Sequence, residues 1–316
     1  MQISLMVEGQ AGLTWARWQT LVARVEDWGF AGLYRSDHFT MPSGPREDAL
    51  EMIVSLAYAA NHTQRAHFGP LVAPVSFRDP VMLARQAAHL DALSNGRMIL
   101  GIGAGWMVRE HEMFGYPLLD KRARFERFAE AVEIVSQLLN RDEPVSFEGR
   151  WYTLREAQIL PRPFKTKLLI GGNGTQQTLR LAARYAQIWN GVQLSPQAFR
   201  ERAQILDAYL YDAGREINAV KKTVATFLFF GQDDAALEQR IARLRHFPAF
   251  AEKTLAEILH AMHTEDNAVT GTPDTVIPQI QAYAEAGVEE LMLQIFDSDD
   301  LAGLDLLARA VLPHVR

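Results

Sequence analysis

The chain has 316 residues, a net charge of −6, an apolar fraction of 48% and no cysteine. The lack of cysteine excludes disulfides, thiolate metal sites and cysteine nucleophiles. The negative charge and the absence of Lys/Arg blocks argue against nucleic acid or an anionic membrane as the main partner. The opening residues Met1–Val7 lack the features of a signal peptide, and no apolar run reaches the roughly 18 residues of a membrane span. We therefore expect a cytoplasmic protein with a small-molecule partner.

Short apolar runs alternate with longer amphipathic segments along the whole chain. The runs are rich in Ile, Leu, Val and Phe, which is typical of strands buried on both faces. Helical spacing fills the segments between them, as in the helix that begins at Asp79-Pro80 and ends at Asn95-Gly96. The predicted strands are 3–7, 31–35, 67–72, 98–102, 168–170, 187–192, 223–230 and 290–295.

Eight strands that alternate with helices predict a parallel α/β sheet, and eight is the number that closes a (β/α)8 TIM barrel. Periodicity alone leaves a doubly wound open sheet as the structural rival. We expect one barrel domain over 1–316 with two excursions, at about 141–166 and 231–272, and long excursions are often lids or binding loops. The first contains a predicted hairpin at 145–154, and the second two extra helices around Phe247-Pro248.

The residues just after each strand are the candidates for chemistry, because the βα loops of a barrel gather at one face. Asp37-His38 follows the second strand, and histidine titrates near neutral pH, where a neighbouring carboxylate can orient it. A helix cap plus a core histidine is the alternative interpretation. Glu8, at the end of the first strand, is either a ligand at the barrel mouth or a solvated turn residue.

Two glycine-rich segments follow later strands. The run Gly171-Gly172-Asn173-Gly174 precedes a helix predicted to begin at Thr175, so its backbone could hold a phosphate or simply form a tight turn. The segment 101–106 lacks the Gly-x-Gly-x-x-Gly spacing of a dinucleotide site, but its small residues would let a flat ring approach. Trp106 could stack on such a ring or close the barrel mouth. The histidine spacing indicates no metal site.

Several stretches, in this order along the chain, resemble the luciferase-like flavin and deazaflavin oxidoreductases. The opening Val7-Glu8-Gly9-Gln10 and Arg35-Ser36-Asp37-His38-Phe39 are similar to the branch that uses coenzyme F420. The stretches that carry the resemblance include Phe77-Arg78-Asp79-Pro80, Leu83-Ala84-Arg85-Gln86, Leu90-Asp91-Ala92-Leu93-Ser94-Asn95-Gly96-Arg97, Leu100-Gly101-Ile102-Gly103-Ala104-Gly105-Trp106 and Phe147-Glu148-Gly149-Arg150-Trp151-Tyr152.

The resemblance implies a barrel with an insertion segment, often dimeric, that binds F420 or FMN at its mouth. It implies that a bulge in the third strand, often with a non-proline cis peptide, backs the cofactor ring at about Leu71-Val72. Asp37 and His38 would lie beside the ring. The further cofactor-binding residues that we expect are Ala73, Ala104, Gly105, Trp106, Gly171, Gly172, Asn173 and Gly174.

One position departs from the family pattern. The deazaflavin-dependent sugar-phosphate dehydrogenases carry a glutamate where this chain has Trp106, so Glu8 or Glu110 would have to replace that acid. This puts sugar-phosphate oxidation in doubt. We expect an F420-dependent oxidoreductase that transfers hydride between the deazaflavin C5 and a small organic substrate. In this expectation His38 transfers the proton and Asp37 orients His38. The alternatives are an FMN-dependent monooxygenase and a cofactor-binding protein without turnover.

Overall fold

The strands of the chain form one parallel barrel and one separate hairpin. The computed structural model describes residues 1–164, 166–242 and 252–315. All eight predicted strands are present, and the third is split into two pieces. The strands are β1 (Gln2–Val7), β2 (Gly32–Arg35), β3 (His67–Pro70), β4 (Ala73–Pro74), β5 (Ile99–Gly103), β6 (Val145–Glu148), β7 (Thr153–Ala157), β8 (Lys167–Gly171), β9 (Ile188–Val192), β10 (Lys221–Phe230), β11 (Val269–Gly271) and β12 (Glu290–Ile295).

The helices connect these strands and cover the outside of the barrel. The helix predicted to begin at Thr175 begins three residues later, because residues 175–177 form a turn. Among the described residues no helix has the length and apolar character needed to cross a membrane. The helices are α1 (Trp15–Arg24), α2 (Met52–His62), α3 (Pro80–Leu93), α4 (Val108–Phe114), α5 (Lys121–Asn140), α6 (Thr178–Tyr185), α7 (Pro196–Asp212), α8 (Asp234–Ile241), α9 (Leu255–Glu265), α10 (Pro273–Glu285), α11 (Leu301–Ala310) and α12 (Leu312–Val315).

The barrel has eight strand positions, all parallel, in the order β3/β4, β2, β1, β12, β10, β9, β8 and β5. β3 and β4 share the third position, and both ends of that position meet β5. β4 pairs with β5 at its carboxyl end, while Phe68 of β3 bridges to Met98 just before β5. These two contacts close the sheet, so the predicted TIM barrel is confirmed and the open sheet is not formed.

The core lies on both sides of the barrel wall, which explains why the strands are apolar on both faces. Alternate residues such as Met6, Ile99 and Leu169 point inward and pack together in the barrel. Their neighbours Leu5, Leu100 and Leu168 point outward into the larger cluster that the helices cover. Helix starts are fixed by capping side chains, as at Asp79, whose carboxylate accepts from the Met82 N–H at 2.9 Å ahead of Pro80.

Both predicted excursions contain secondary structure of their own. In the first, β6 and β7 form the expected antiparallel hairpin. In the second, α8 and α9 pack through Ile241, Ile258 and Met262 against Phe229 of β10, and β11 pairs with the end of that strand. The predicted Phe247-Pro248 between the two helices lies outside the described residues.

The break in the third strand lies where the bulge was predicted. The Leu71-Val72 peptide is cis, and the Val72 side chain lies against three glycines, two in β5 and one in β8. A Cβ added at Gly103 would be 2.6 Å from Val72 Cγ2, and one at Gly101 or Gly171 would be 3.1 or 3.0 Å from Val72 Cγ1. Glycine at these positions therefore lets the valine occupy the barrel end.

Gly69 in β3 lies at the contact between β3 and β5 that closes the barrel, and we predict that this position tolerates no side chain. A Cβ at this position would lie 1.8 Å from the backbone oxygen of Ile99, which cannot move without opening the β3–β5 contact. We expect Gly69→Ala to destabilise the protein by more than about 3 kcal/mol, beyond the usual cost of overpacking. Gly214→Ala is the control, because Gly214 has a φ of +66° and no atom within 4 Å of its added Cβ. Scanning calorimetry that found equal losses of Tm would contradict the prediction.

Candidate active site

A cavity of about 570 Å³ opens at the carboxyl ends of the strands. Its walls come from every strand position of the barrel, and the third-strand break forms part of its floor. Of the residues predicted from sequence, those that line it are Glu8, His38, Leu71, Val72, Ala104, Gly105, Trp106, Gly171 and Gly172. Asp37, Ala73, Asn173 and Gly174 do not line it, although the first three are next in sequence to a residue that does.

His38 is held by a carboxylate from a different part of the chain. Its Nδ1 lies 3.0 and 3.1 Å from the two carboxylate oxygens of Glu110, which is only 1% exposed. The Phe39 N–H also donates to Glu110, at 3.1 Å. With Nδ1 engaged in this way, Nε2 is the ring nitrogen left to act on a ligand. Burial lowers the pKa of His38, but the bond and charge of Glu110 outweigh it, so the net pKa is raised.

Asp37 does not orient His38, and this part of the sequence interpretation was wrong. The Asp37 carboxylate is buried and forms a two-pronged pair with Arg78, with Nε–Oδ2 and Nη2–Oδ1 distances of 2.8 and 2.7 Å. Arg78 also contacts Glu51 at 2.8 Å, just ahead of α2. Burial raises the pKa of Asp37, and Arg78 opposes that rise. Asp37 therefore fixes the end of β2, while the sequence-distant Glu110 fixes the histidine ring.

Glu8 is a buried carboxylate inside the cavity, not a solvated turn residue. It accepts hydrogen bonds from the side-chain amides of Gln10 and Gln294. Ser36 supports this arrangement, because its hydroxyl donates to Gln10 Oε1 at 2.6 Å and accepts from the Gly9 N–H at 2.8 Å. Burial raises the pKa of Glu8, against the opposing effects of His38 and the hydrogen bonds. A buried acid and a histidine with a raised pKa thus line the same cavity.

The glycine-rich wall fits a flat ring. The glycines around Val72 leave backbone where side chains would otherwise project, and Gly105 has a φ of +82° with no room for a Cβ beside Ser76. Asn190, 1% exposed, lines the cavity with its Oδ1 lacking a hydrogen-bond partner, while its Nδ2 donates to Thr223 at 2.9 Å. A buried acceptor of this kind suits a ring N–H group. Trp106 is 58% exposed and meets His38 edge-on, so it does not close the barrel mouth.

The turn after β8 is only partly available for an anion. The Gly172 N–H already donates to the Asn190 carbonyl at 2.9 Å, and the Asn173 side chain bonds both backbone groups of Val192. The N–H groups that remain are those of the turn that leads into α6. Arg202 of α7 brings a positive charge to this turn, with its Nε 3.4 Å from the Asn173 carbonyl oxygen. The arrangement fits a phosphate at the edge of the cavity.

Sequence reasoning did not single out several residues that the structure places in or beside the cavity. Asn190 and Gln294 lie in the carboxyl-terminal halves of the predicted strands 187–192 and 290–295, so their position was a usable signal. Glu110 was noted only as a replacement acid, because nothing in the sequence shows that α4 turns it toward β2. Gln10 belonged to a stretch that resembles the family, but no role was assigned to it, and Arg202, Phe227 and Phe296 lay in no motif. Within the described ranges, no group of three or more His, Asp and Glu residues could hold a metal ion.

The family prediction is confirmed by comparison with known proteins. The family model described as luciferase-like monooxygenase matches residues 2–290. The chain belongs to this family.

Individual relatives carry two kinds of names. A curated relative from Intrasporangium calvum, named F420-dependent glucose-6-phosphate dehydrogenase, is 29% identical over 93% of this chain and 92% of its own length. The 4-hydroxyprotoasukamycin monooxygenase of Streptomyces nodosus is 26% identical over 96% of this chain and 87% of its own. A solved F420-dependent secondary alcohol dehydrogenase, in complex with an F420-acetone adduct, superposes with a TM-score of 0.83 at 20% identity, covering 100% and 99% of the two chains.

The His38–Glu110 pair predicts a titration that Glu110→Gln changes. The raised pKa means that the pair stabilises the folded state fully below the unfolded value of about 6.5, and that this stability is lost as pH rises through the folded pKa. Removing the carboxylate charge should lower the pKa of His38. NMR of histidine-labelled protein measures it directly. Glu112→Gln, at an exposed position on α4, is the control; equal His38 titration in both variants would contradict the assignment.

Proposed function

We propose that the protein is an F420-dependent oxidoreductase that acts on a small organic substrate. The observation that carries the proposal is one cavity that contains both the glycine-walled Val72 bulge and a histidine fixed by a buried glutamate. The names of the relatives support the cofactor, since curated proteins that match over most of their length are described as F420-dependent dehydrogenases. The same proposal takes the enzyme to be a cytoplasmic homodimer.

The residues that would hold F420 follow from the cavity walls. Leu71 and Val72 would back the ring, and the wall at Ala104 and Gly105 leaves room beside it. The free Oδ1 of Asn190 offers an acceptor to a ring N–H. The turn at 173–177, with Arg202 beside it, would hold the phosphate. When bound, F420 supplies a carbon centre that accepts or donates hydride.

The protein's own part of the chemistry is proton transfer and orientation. His38 would take the proton of a substrate hydroxyl at Nε2, or return it to a carbonyl oxygen in the reverse direction. Glu110 is a positioning residue: it fixes the ring and stabilises its charged form through the bond to Nδ1. We give Asp37 a structural role through Arg78, in place of the orienting role expected from sequence.

Glu8 is the second proton-active group of the proposal. It lines the cavity from β1, and burial raises its pKa from the ordinary range. The amides of Gln10 and Gln294 hold its carboxylate in place. We propose that Glu8 accepts or supplies a proton at the substrate, the task for which Trp106 is chemically unsuited. Trp106 would instead shield the outer edge of His38 from water.

An FMN-dependent monooxygenase is the alternative, favoured by the monooxygenase name of the Streptomyces nodosus relative. Titration of the purified protein with F420 and with FMN, each oxidised and reduced, separates the two proposals by fluorescence. We expect F420 to bind and FMN to bind at least tenfold more weakly. Tight FMN binding without any response to F420 would overturn the proposal. A protein that binds F420 but reduces no substrate would support the third alternative, a cofactor-binding protein.

The role of His38 is tested by His38→Ala. Turnover should fall by about 10²–10⁴-fold, the usual contribution of a general acid or base, while the Kd for F420 changes little. His62→Ala is the control, because His62 is exposed on α2 and stacks on Tyr58, away from the cavity. The measurement is kcat together with the F420 Kd. An unchanged kcat would remove His38 from the mechanism.

A further inference from the structure

A second and larger cavity, of about 950 Å³, adjoins the candidate active site. Its walls come from the segments after β1 and β2, the carboxyl ends of β10 and β12, and helices α1, α8 and α11. We call it the outer cavity, and the one that contains His38 the inner cavity. The apolar residues of the outer cavity are Ala11, Met41, Pro45, Leu228, Phe229, Phe230, Ile295, Phe296, Leu304 and Leu307.

The two cavities share part of their lining. Met41 and Phe296 line both, so one side chain from the β2 side and one from the β12 side lie between them. Phe296 is also the centre of an aromatic cluster, with ring centroids 5.2 Å from Phe227 in the inner cavity and 6.1 Å from Phe229 in the outer cavity. A molecule that reaches His38 from this side therefore passes along an apolar aromatic surface.

Charge makes the outer cavity unsuitable for an anionic ligand. Arg17 is held by Asp299, and Arg240 is held by Asp300 with Asp297 at 3.6 Å. Arg46 adds a third arginine to the described wall, and Glu47 and Asp48 bring its carboxylates to four, together with Asp297 and Asp300. Among the described residues that line the inner cavity there is no Lys or Arg. A phosphate or carboxylate on the substrate would therefore meet a wall with more carboxylates than arginines, in which Arg17 and Arg240 are already held by aspartates.

We propose that the outer cavity binds the apolar part of a neutral, elongated secondary alcohol or ketone whose functional group lies beside His38. This inference deepens the proposed function and rests on it. Bound F420 would supply the acceptor for the hydride that the carbinol carbon loses on oxidation, and so for the two electrons of the alcohol. His38 would take the hydroxyl proton as the carbonyl group forms.

The test uses the full-length protein and a series of alcohols from 2-propanol to 2-octanol. F420 reduction is followed by absorbance, and kcat/KM is compared along the series. We expect roughly a threefold to fourfold rise per methylene, the factor for burying a CH₂ group from water. A flat series, or glucose 6-phosphate as the better substrate, would overturn the inference and leave the proposed function standing.

Two variants reduce the outer cavity, and a third is their control. Ser43→Trp adds bulk at an exposed position on the cavity wall, and Leu304→Trp fills the cavity from α11. Each should lower the ratio of kcat/KM for 2-octanol to that for 2-propanol at least tenfold. Thr153→Trp, on the exposed face of β7 and outside both cavities, should leave the ratio unchanged. Should Leu304→Trp fail to fold, Ser43→Trp alone decides; an unchanged ratio in it would overturn the inference.

A cofactor-free measurement separates this inference from the proposed function. Calorimetric titration with 2-octanone should show binding at least tenfold tighter than that of 2-butanone, and Ser43→Trp should remove the difference. Binding of 2-octanone without F420-linked turnover of any alcohol would support the outer cavity and overturn the proposed function. Turnover of short alcohols without preferential binding of 2-octanone would support the proposed function and overturn the role of the outer cavity.

Discussion

The close contact between Val72 and the glycine backbones around it is the constraint on which the rest of the site depends. The valine side chain occupies the barrel end only because Gly101, Gly103 and Gly171 bring no Cβ into that space. This packing holds the third strand where it is broken between β3 and β4. The floor of the cavity is therefore the Val72 side chain, with the glycine backbone of β5 and β8 beside it. A larger residue at any of the three glycines would have to displace the valine.

Above that floor, three carboxylates near the end of β2 have separate tasks because their partners differ. Asp37 is neutralised by Arg78 and contributes to the wall, Glu110 holds His38, and Glu8 is held by two amides inside the cavity. Burial raises the pKa of Asp37 and of Glu8, and the rise is opposed by Arg78 at Asp37 and by His38 and the two amides at Glu8. Arg78 pairs with Asp37, the carboxylate that does not line the cavity. The groups left inside are therefore the ones that can exchange a proton.

The cofactor side and the substrate side of the mouth differ in chemistry. Toward β5 and β8 the wall consists of glycine backbone, with Arg202 beside the turn that follows β8. Toward β10 and β12 it consists of aromatic and aliphatic side chains, and Arg17 and Arg240 of that wall are paired with aspartates. A phosphate-bearing cofactor matches the first side and an uncharged substrate the second. This division supports a dehydrogenase for neutral substrates within a family whose curated members include sugar-phosphate dehydrogenases.

The sequence by itself determined the strands, because strand patterning and turn chemistry are local: all eight strands and the 145–154 hairpin were predicted where they occur. The resemblance to a family added the bulge at Leu71-Val72, while periodicity alone left an open sheet as a rival to the closed barrel. The sequence also brought Glu8, His38 and Gly171 to one face, since parallel strands end together. Only the tertiary structure decided which side chains Asp37 and His38 contact. Adjacency suggested that Asp37 orients His38, but neighbouring residues on an extended segment point to opposite sides. Glu110 reaches the histidine from 72 residues away because α4 packs across the mouth, and no local pattern encodes that contact.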